Sequence, residues 1–321
     1  MIVDLPDTTI SQVSKTLVKM REEGGAVALG RVLTLVIATH VGTEEEAIEA
    51  ANDASREHPM RVLVVSTTQD ADDPDAESRL DAEIRVGGDA GASEVIVLRA
   101  CGAAAGDEES LVMGLLLPDA PVVTWWPGTA PERPGSSPLG RIAQRRITDA
   151  SAQADPQGAL DVLAQHYTPG DADFAWTRLT LWRAQLAAVL DQPPYEPVTR
   201  VKVTGAGDSP STTLLAAWLR MQLGAETEYE LTPVDAESHG IHGVTLERAS
   251  GVIELVRDVP GVATLRQPAQ PTHDVALPRR NLRDCLADEL RRLDPDELYG
   301  EVITQGLPAL LEVSAREGAV R

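Results

Sequence analysis

Between residues 9 and 23, Ile10, Val13, Leu17 and Met20 recur at helical spacing, and Gly24-Gly25 follow as a stop, so an amphipathic helix is expected to open the chain. RVLTLVIA (31–38) is an unbroken apolar run of strand length. TEEE (43–46) reads as a capping box, with Thr43 accepting from the Glu46 amide and Glu46 reaching back, and opens a helix ending near His58-Pro59. RVLVVS (61–66) is a second buried strand, so residues 31–66 have the strand, helix, strand order of a right-handed crossover. Leu80, Ala82, Ile84 and Val86 alternate with Asp81, Glu83 and Arg85, which predicts a half-exposed edge strand and admits antiparallel pairing. EVIVLRA (94–100), a helix over 108–117 and PVVTWW (121–126) complete a five-strand sheet. A helix over 155–166 gives way to the turn cluster HYTPGDAD, which places a domain boundary near residue 168.

The second half begins with DADFAWTRLTLWRAQLAAVLDQPP, on which Trp176, Leu179, Trp182, Leu186 and Val189 share a helical face, and Pro193-Pro194 stop the helix. TRVKVTG, TEYELTPV, GVTLERA, GVIELVR and GVATLRQ read as strands, the last three as an antiparallel meander, with a helix over 211–223 between the first two. Two helices close the chain; Asp294 is expected to cap the second, with Pro295 in its first position and Glu297 completing a capping box. The fold class is therefore α/β in two domains. Residues 1–168 carry a mixed or mostly parallel sheet with flanking helices, and 169–321 an α/β domain with an antiparallel meander and terminal helices.

Charge narrows the partners. With 28 Lys+Arg against 50 Asp+Glu, the net charge of -22 disfavours nucleic acid and anionic membranes. Asp4 and Asp7 stand where a signal peptide would carry positive charge, and no apolar run reaches the length of a membrane span, so a cytoplasmic protein is expected. Cys101 and Cys285 lie far apart without a C-x-x-C pairing, which suggests neither a disulfide framework nor structural zinc. Cys285 shares a helical face with Leu282, Leu286, Leu290 and Leu293 and is expected to be buried; Cys101 follows a strand and is expected to be more exposed.

VTGAGDSPSTTLLAAWL (203–219) joins a strand, a Gly-x-Gly turn and a helix start, a layout that can offer backbone amides to a phosphate. Gly205, Gly207, Ser209, Ser211 and Thr212 are the candidate phosphate-binding residues. The stretch lacks the Gly-Lys-Ser/Thr of a Walker loop, and Pro210 stands where a dinucleotide fingerprint needs its third glycine. A tight turn with Ser209 or Ser211 capping the helix is the favoured reading of the same residues. His239 and His242 have a metal-compatible spacing but no third ligand, and no histidine has a sequence link to a Ser or Cys nucleophile, so no catalytic residue, metal or cofactor is expected.

PVVTWWPGTAPERP (121–134) puts two of the five tryptophans side by side. Consecutive strand residues face opposite ways, so Trp125 is expected in the core and Trp126 in an exposed, partner-anchoring role beside Pro127; the same stretch reads equally as two core rings whose prolines only stiffen an exit. Arg133, Arg141, Arg145 and Arg146 then form an arginine-rich segment suited to a carboxylate or a phosphate.

From residue 1 to about 307 the chain resembles the OpcA proteins, the glucose-6-phosphate dehydrogenase assembly proteins of actinobacteria and cyanobacteria. The resemblance rests on MIVDLPDTT, EEGGAVALGRVLTLVI, EEAIEAANDASREHPMRVLVV, PVVTWWPGTAPERPGSSPLGRIAQRRITDA, DFAWTRLTLWRAQLAAVLDQPP and CLADELRRLDPDELYG. It implies a non-enzymatic partner that promotes assembly or allosteric activation of the dehydrogenase opening the oxidative pentose phosphate pathway. The alternative is a sugar-phosphate or nucleotide-binding enzyme using the 205–212 turn.

Overall fold

The computed structural model describes residues 1–23, 30–68, 78–87, 94–233 and 239–318; the Gly24-Gly25 stop lies outside them. In chain order the first elements are β1 (Ile2–Leu5), α1 (Ile10–Glu23), β2 (Leu33–His40), α2 (Glu45–Ala54), β3 (Met60–Thr67), β4 (Arg79–Val86) and β5 (Glu94–Cys101). Then follow α3 (Glu108–Met113), β6 (Val122–Trp125), α4 (Pro138–Arg141), β7 (Arg145–Thr148), α5 (Pro156–His166) and β8 (Asp171–Asp173). The five expected strands all form, and β1, β7 and β8 extend them to eight in the order β1-β4-β5-β3-β2-β6-β7-β8. Pairings β5–β3, β3–β2, β2–β6 and β6–β7 are parallel, and β4 runs antiparallel to both β5 and β1. So β4 has the expected alternation and antiparallel pairing, but it is not an edge. β1, four residues too short to register as a periodic pattern, covers its outer side.

The remaining elements are α6 (Phe174–Thr177), α7 (Thr180–Leu190), β9 (Arg200–Ala206), α8 (Pro210–Leu223), β10 (Glu226–Thr232), β11 (Ile241–Arg248), β12 (Gly251–Val259), β13 (Val262–Arg266), β14 (His273–Ala276), α9 (Leu282–Arg291), α10 (Glu297–Glu301) and α11 (Leu307–Gly318). A π-helical turn, Val302–Gly306, joins the last two. Strands β10-β9-β11-β12-β13-β14 make the second sheet, parallel only between β10 and β9, and β11–β13 are the expected meander. The helix expected from the stretch starting at residue 171 begins only at Phe174, since 171–173 form β8, and is broken after Thr177; Asp173 caps its first piece by accepting from the Ala175 amide. Asp296, not Asp294, caps α10, accepting from the Tyr299 amide, so that helix starts after Pro295.

The chain forms two units, and the passage between them is not a single cut at 168. The first unit holds residues 1–148, 170–172 and 281–295; the second holds 149–169, 173–280 and 296–321. Burial explains the return of 281–295: Cys285, Leu286 and Leu290 of α9 are buried, and the helix packs on α2 with Arg283–Asp53 and Arg291–Glu57 pairs at 3.3 and 2.9 Å. In the first unit Val13, Leu17 and Met20 of α1 pack on Val36, Leu63, Ile96 and Leu98 of the sheet. In the second, Trp176, Trp182 and Leu186 join Leu214, Leu215 and Leu219 against Val201, Val203, Val244, Leu246 and Leu255.

Candidate functional site

Strand order in the first sheet reverses between β2 and β6, since the chain proceeds from β2 to β3 on one side and later adds β6 on the other. Beyond the carboxyl ends of such strands open α/β sheets place their ligand crevices. On one side of that reversal, the carboxyl ends of β3 and β5 hold a side chain of the protein itself. The buried Glu44 carboxylate, just ahead of α2, accepts the Gly42 amide at 2.8 Å, the Ser66 hydroxyl at 2.8 Å and Arg99 Nε at 3.3 Å. It is a fixed, buried anion that ties the turn before α2 to β3 and β5. The expected Thr43 capping box is absent: Thr43 Oγ1 donates to the His40 carbonyl at 2.8 Å, and Glu44 occupies the cap position without a side-chain cap bond. Arg99 also reaches Glu83 at 3.2 Å, Glu83 accepts from Arg85 at 2.6 Å, and Arg85 reaches Glu45 at 2.6 Å. The hydrogen bond from Arg85 holds Glu45 below the usual carboxylate range. Burial pushes Glu83 up, but its bonds from Arg85 and Arg99 outweigh this and leave it lowered too.

The tryptophan pair divides as alternation requires but not in exposure. Trp125 is fully buried; Trp126, at 5%, is buried as well, in the cluster containing Val36, Ala38, Val122 and Leu139. Its amide continues the sheet by donating to the Ile147 carbonyl at 2.9 Å, and the following segment folds back over the ring. Thr124 Oγ1 donates to the Leu139 carbonyl at 3.1 Å and ties that segment to β6. Pro127 is half-buried.

The arginine-rich segment also separates. Arg145 and Arg146 are consecutive residues of β7, so they leave opposite faces, and both are buried: Arg145 pairs with Glu289 and donates to the Asp294 carbonyl at 2.9 Å, while Arg146 pairs with Asp171 and donates to the Ala143 carbonyl at 3.0 Å. Buried arginines need such partners, and these spend their charge inside the first unit. Arg141 is exposed and pairs with Glu109 at 2.9 Å. The Arg133 guanidinium is exposed and has no hydrogen bond or ion pair among the described residues.

In the second unit the glycine turn is filled by its own chain. A Cβ on Gly205 would lie 2.1 Å from Thr212 Oγ1 and 2.8 Å from the Gly240 carbonyl, so the glycine permits close strand-to-helix packing. Ser209 and Thr212 hydroxyls bond each other at 3.0 Å, Ser211 Oγ donates to the Ala175 carbonyl at 2.8 Å, and the Gly207 amide donates to the Thr232 carbonyl at 2.8 Å. Ser209 occupies the cap position of α8 without a side-chain cap bond, and Ser211 lies inside the helix, which opens on Pro210. His239 is 3.7 Å from Asp208, and no cluster of three metal-ligating side chains occurs among the described residues. Cys101 is half-buried and Cys285 fully buried.

Sequence pattern missed Glu44 and Arg99. The first hid in a run that reads as a cap; the second is visible as the one basic residue in EVIVLRA. Also missed are two arginine–tryptophan stacks in the second unit, Arg183 over Trp176 at 3.9 Å and Arg257 over Trp182 at 5.1 Å.

Two family models match the chain: the N-terminal domain of the glucose-6-phosphate dehydrogenase subunit over residues 51–165, and its C-terminal domain over 169–303. No curated protein matches. Among solved structures, a 3-ketoreductase from Actinomadura kijaniata is 10% identical, covering 86% of this chain and 95% of its own, with a TM-score of 0.48. Biliverdin reductase from Synechocystis is 9% identical, covering 88% and 98%, at 0.47. An oxidoreductase from Sinorhizobium meliloti is 9% identical, covering 89% and 98%, at 0.48. None of these likenesses bears on the reaction, substrate or cofactor of this chain.

Proposed function

We propose, since this chain belongs to the OpcA family of glucose-6-phosphate dehydrogenase assembly proteins, that it is a non-catalytic subunit that binds glucose-6-phosphate dehydrogenase and promotes its assembly or activates it allosterically in the oxidative pentose phosphate pathway. The observation that carries this reading is the paired match of both halves of the chain, 51–165 and 169–303, to dehydrogenase-subunit domains. One feature supports it. The hydroxyls of the 205–212 turn, the candidate phosphate site, are bonded to one another and to backbone, so that turn is filled from within.

The candidate contact surface contracts to what the Pro-Arg segment exposes. Thr129, Glu132, Arg133, Ser136 and Arg141 are exposed, and Pro127 and Pro131 half-buried beside them. Trp126, Arg145 and Arg146 support this surface from inside. A segment stiffened by prolines loses little entropy on docking, and an arginine without an internal carboxylate is available to one on a partner. The proposed place of action is the cytoplasm; no helix among the described residues is long and apolar enough to cross a membrane.

The test mixes the purified chain with its cognate dehydrogenase and follows particle mass and steady-state kinetics together. A saturable change in oligomer mass, KM or kcat is expected, with no dehydrogenase activity from the chain alone. Unchanged mass and kinetics across a saturating titration would reject the proposal.

A further inference from the structure

One face of the six-stranded sheet belongs to the core of the second unit, where Val203, Val244, Leu246 and Leu255 meet Trp182 of α7 and Leu214 of α8. Alternation puts the intervening residues on the other face, and the strand register fixes their neighbours. One row across the strands reads Glu226, Arg200, Glu247 and Val252; the next reads Glu228, Lys202, Thr245, Glu254 and Arg266. A third passes from Val256 to Thr264 and Asp274, and a fourth from Val259 to Val262 and Ala276. Every one of these residues is exposed or half-buried.

The charges on this face do not cancel. Arg200 pairs with Glu226 at 3.4 Å, Lys202 with Glu230 at 2.8 Å and Arg266 with Glu254 at 3.4 Å. Glu228, beside Lys202, and Glu247, beside Arg200, are left over, and neither carboxylate has a hydrogen bond or ion pair among the described residues. The internal segments outside the described residues, 24–29, 69–77, 88–93 and 234–238, contain no lysine or arginine, so none of them can supply the missing cation. Arg200 is raised in pKa, first by its bond to Glu226 and then by the nearby Glu247 and Glu228. At the opposite corner the face turns apolar: Val259, 60% exposed, lies directly across from Val262, 39% exposed, with Val256 one row away. Contiguous apolar side chains beside unmatched charge mark a contact surface rather than a merely solvated face.

We propose that this sheet face docks on a basic surface of the dehydrogenase, with lysine or arginine side chains meeting Glu228 and Glu247 and apolar ones meeting the Val259–Val262 corner. The inference rests on the dehydrogenase-binding reading and names the charge that the partner must carry, at a contact additional to the Pro-Arg segment. A second copy of the chain is a poor occupant, because its own face brings the same surplus of carboxylates, in a chain already at a net charge of -22. Complementary charge at such a contact speeds encounter and fixes orientation, and salt screens it.

The experiment measures binding of the full chain to its immobilised cognate dehydrogenase at low and at physiological salt, with a melting curve for every variant. Glu228→Lys and Glu247→Lys, made separately at exposed positions, should each weaken binding by about tenfold or more and flatten its decline with salt. Val259→Asp should weaken it by a similar factor, and all three should melt with the parent. Asp161→Lys, the same charge change at an exposed position on α5, should leave binding unchanged. A parent that binds while the three face variants bind as tightly would overturn this inference and leave the dehydrogenase reading standing; a parent that does not bind overturns both. An equal loss in Asp161→Lys would also overturn it, since net charge alone would then matter. So would self-association of the chain in sedimentation velocity that Val259→Asp abolishes, because the face would then serve a second copy.

Discussion

Gly140 packs so closely beneath Pro134 that a Cβ on it would stand 1.7 Å from the Pro134 carbonyl oxygen. Ser137 closes the same loop, its hydroxyl donating to that carbonyl at 2.8 Å and accepting the Gly140 amide at 3.0 Å. The segment after Trp126 is therefore a folded lid on the first core, held by a backbone approach that only glycine permits.

Gly140→Ala is expected to force this lid open and to cost about 1–3 kcal/mol, the range for overpacking a well-packed site. Gly128, in the same segment, has nothing within 4 Å of a built Cβ, so Gly128→Ala should stay within about 0.5 kcal/mol of the parent. Urea unfolding of the two variants checks this, and similar midpoints would refute the packing argument.

Both tryptophans of the pair now carry the same expectation for stability. Trp125 and Trp126 leave opposite faces of β6 and its continuation, yet each ring is buried, so Trp125→Ala and Trp126→Ala should each cost about 3–5 kcal/mol. Separate melting curves decide it; a Trp126→Ala variant as stable as the parent would contradict the burial.

How far these arrangements could be read beforehand depended on whether the determining interaction was local. Unbroken apolar runs such as 31–38 and 94–100 became β2 and β5 because burial on both faces needs only a continuous run of apolar residues. Alternation correctly sent Trp125 and Trp126 to different layers, but exposure depends on what later chain covers a face, and Leu139 with Ala143 supplies that cover from more than ten residues on. Arg145 and Arg146 look like a surface patch in sequence because their partners, Glu289 and Asp171, are distant in the chain. The same holds for Glu44, whose Ser66 and Arg99 contacts come from two other strands, and for Gly205, whose need for a missing side chain is set by Thr212 and Gly240.

The Glu45–Arg85–Glu83 network predicts a particular response to acid. Both carboxylates are held below their ordinary values in the folded protein, Glu45 chiefly by its hydrogen bond from Arg85, and Glu83 by bonds from Arg85 and Arg99 that outweigh its burial. A depressed carboxylate contributes stability that is complete above its unfolded pKa, near 4.3, and is lost as pH falls through the lower folded value. The melting temperature should therefore drop on acidification below about pH 4.5, and Arg85→Gln should lower stability at neutral pH while flattening that acid limb. Parallel Tm–pH curves for parent and variant would show that the network has no such role.

Arg133 and Arg145 separate a surface role from a structural one within a single arginine-rich segment. Arg133 is exposed with no partner among the described residues, so Arg133→Glu should leave the fold intact, with stability within about 0.5 kcal/mol of the parent. If the Pro-Arg segment docks on the dehydrogenase, the reversed charge should weaken binding by at least tenfold, about 1.4 kcal/mol. Arg145→Gln strands the buried Glu289 carboxylate and should cost about 3–5 kcal/mol of stability, with binding lost only as the protein unfolds. Affinity and melting temperature measured on both variants discriminate the two. An Arg133→Glu protein that binds its dehydrogenase as tightly as the parent would move the interface away from this segment while leaving the family assignment in place.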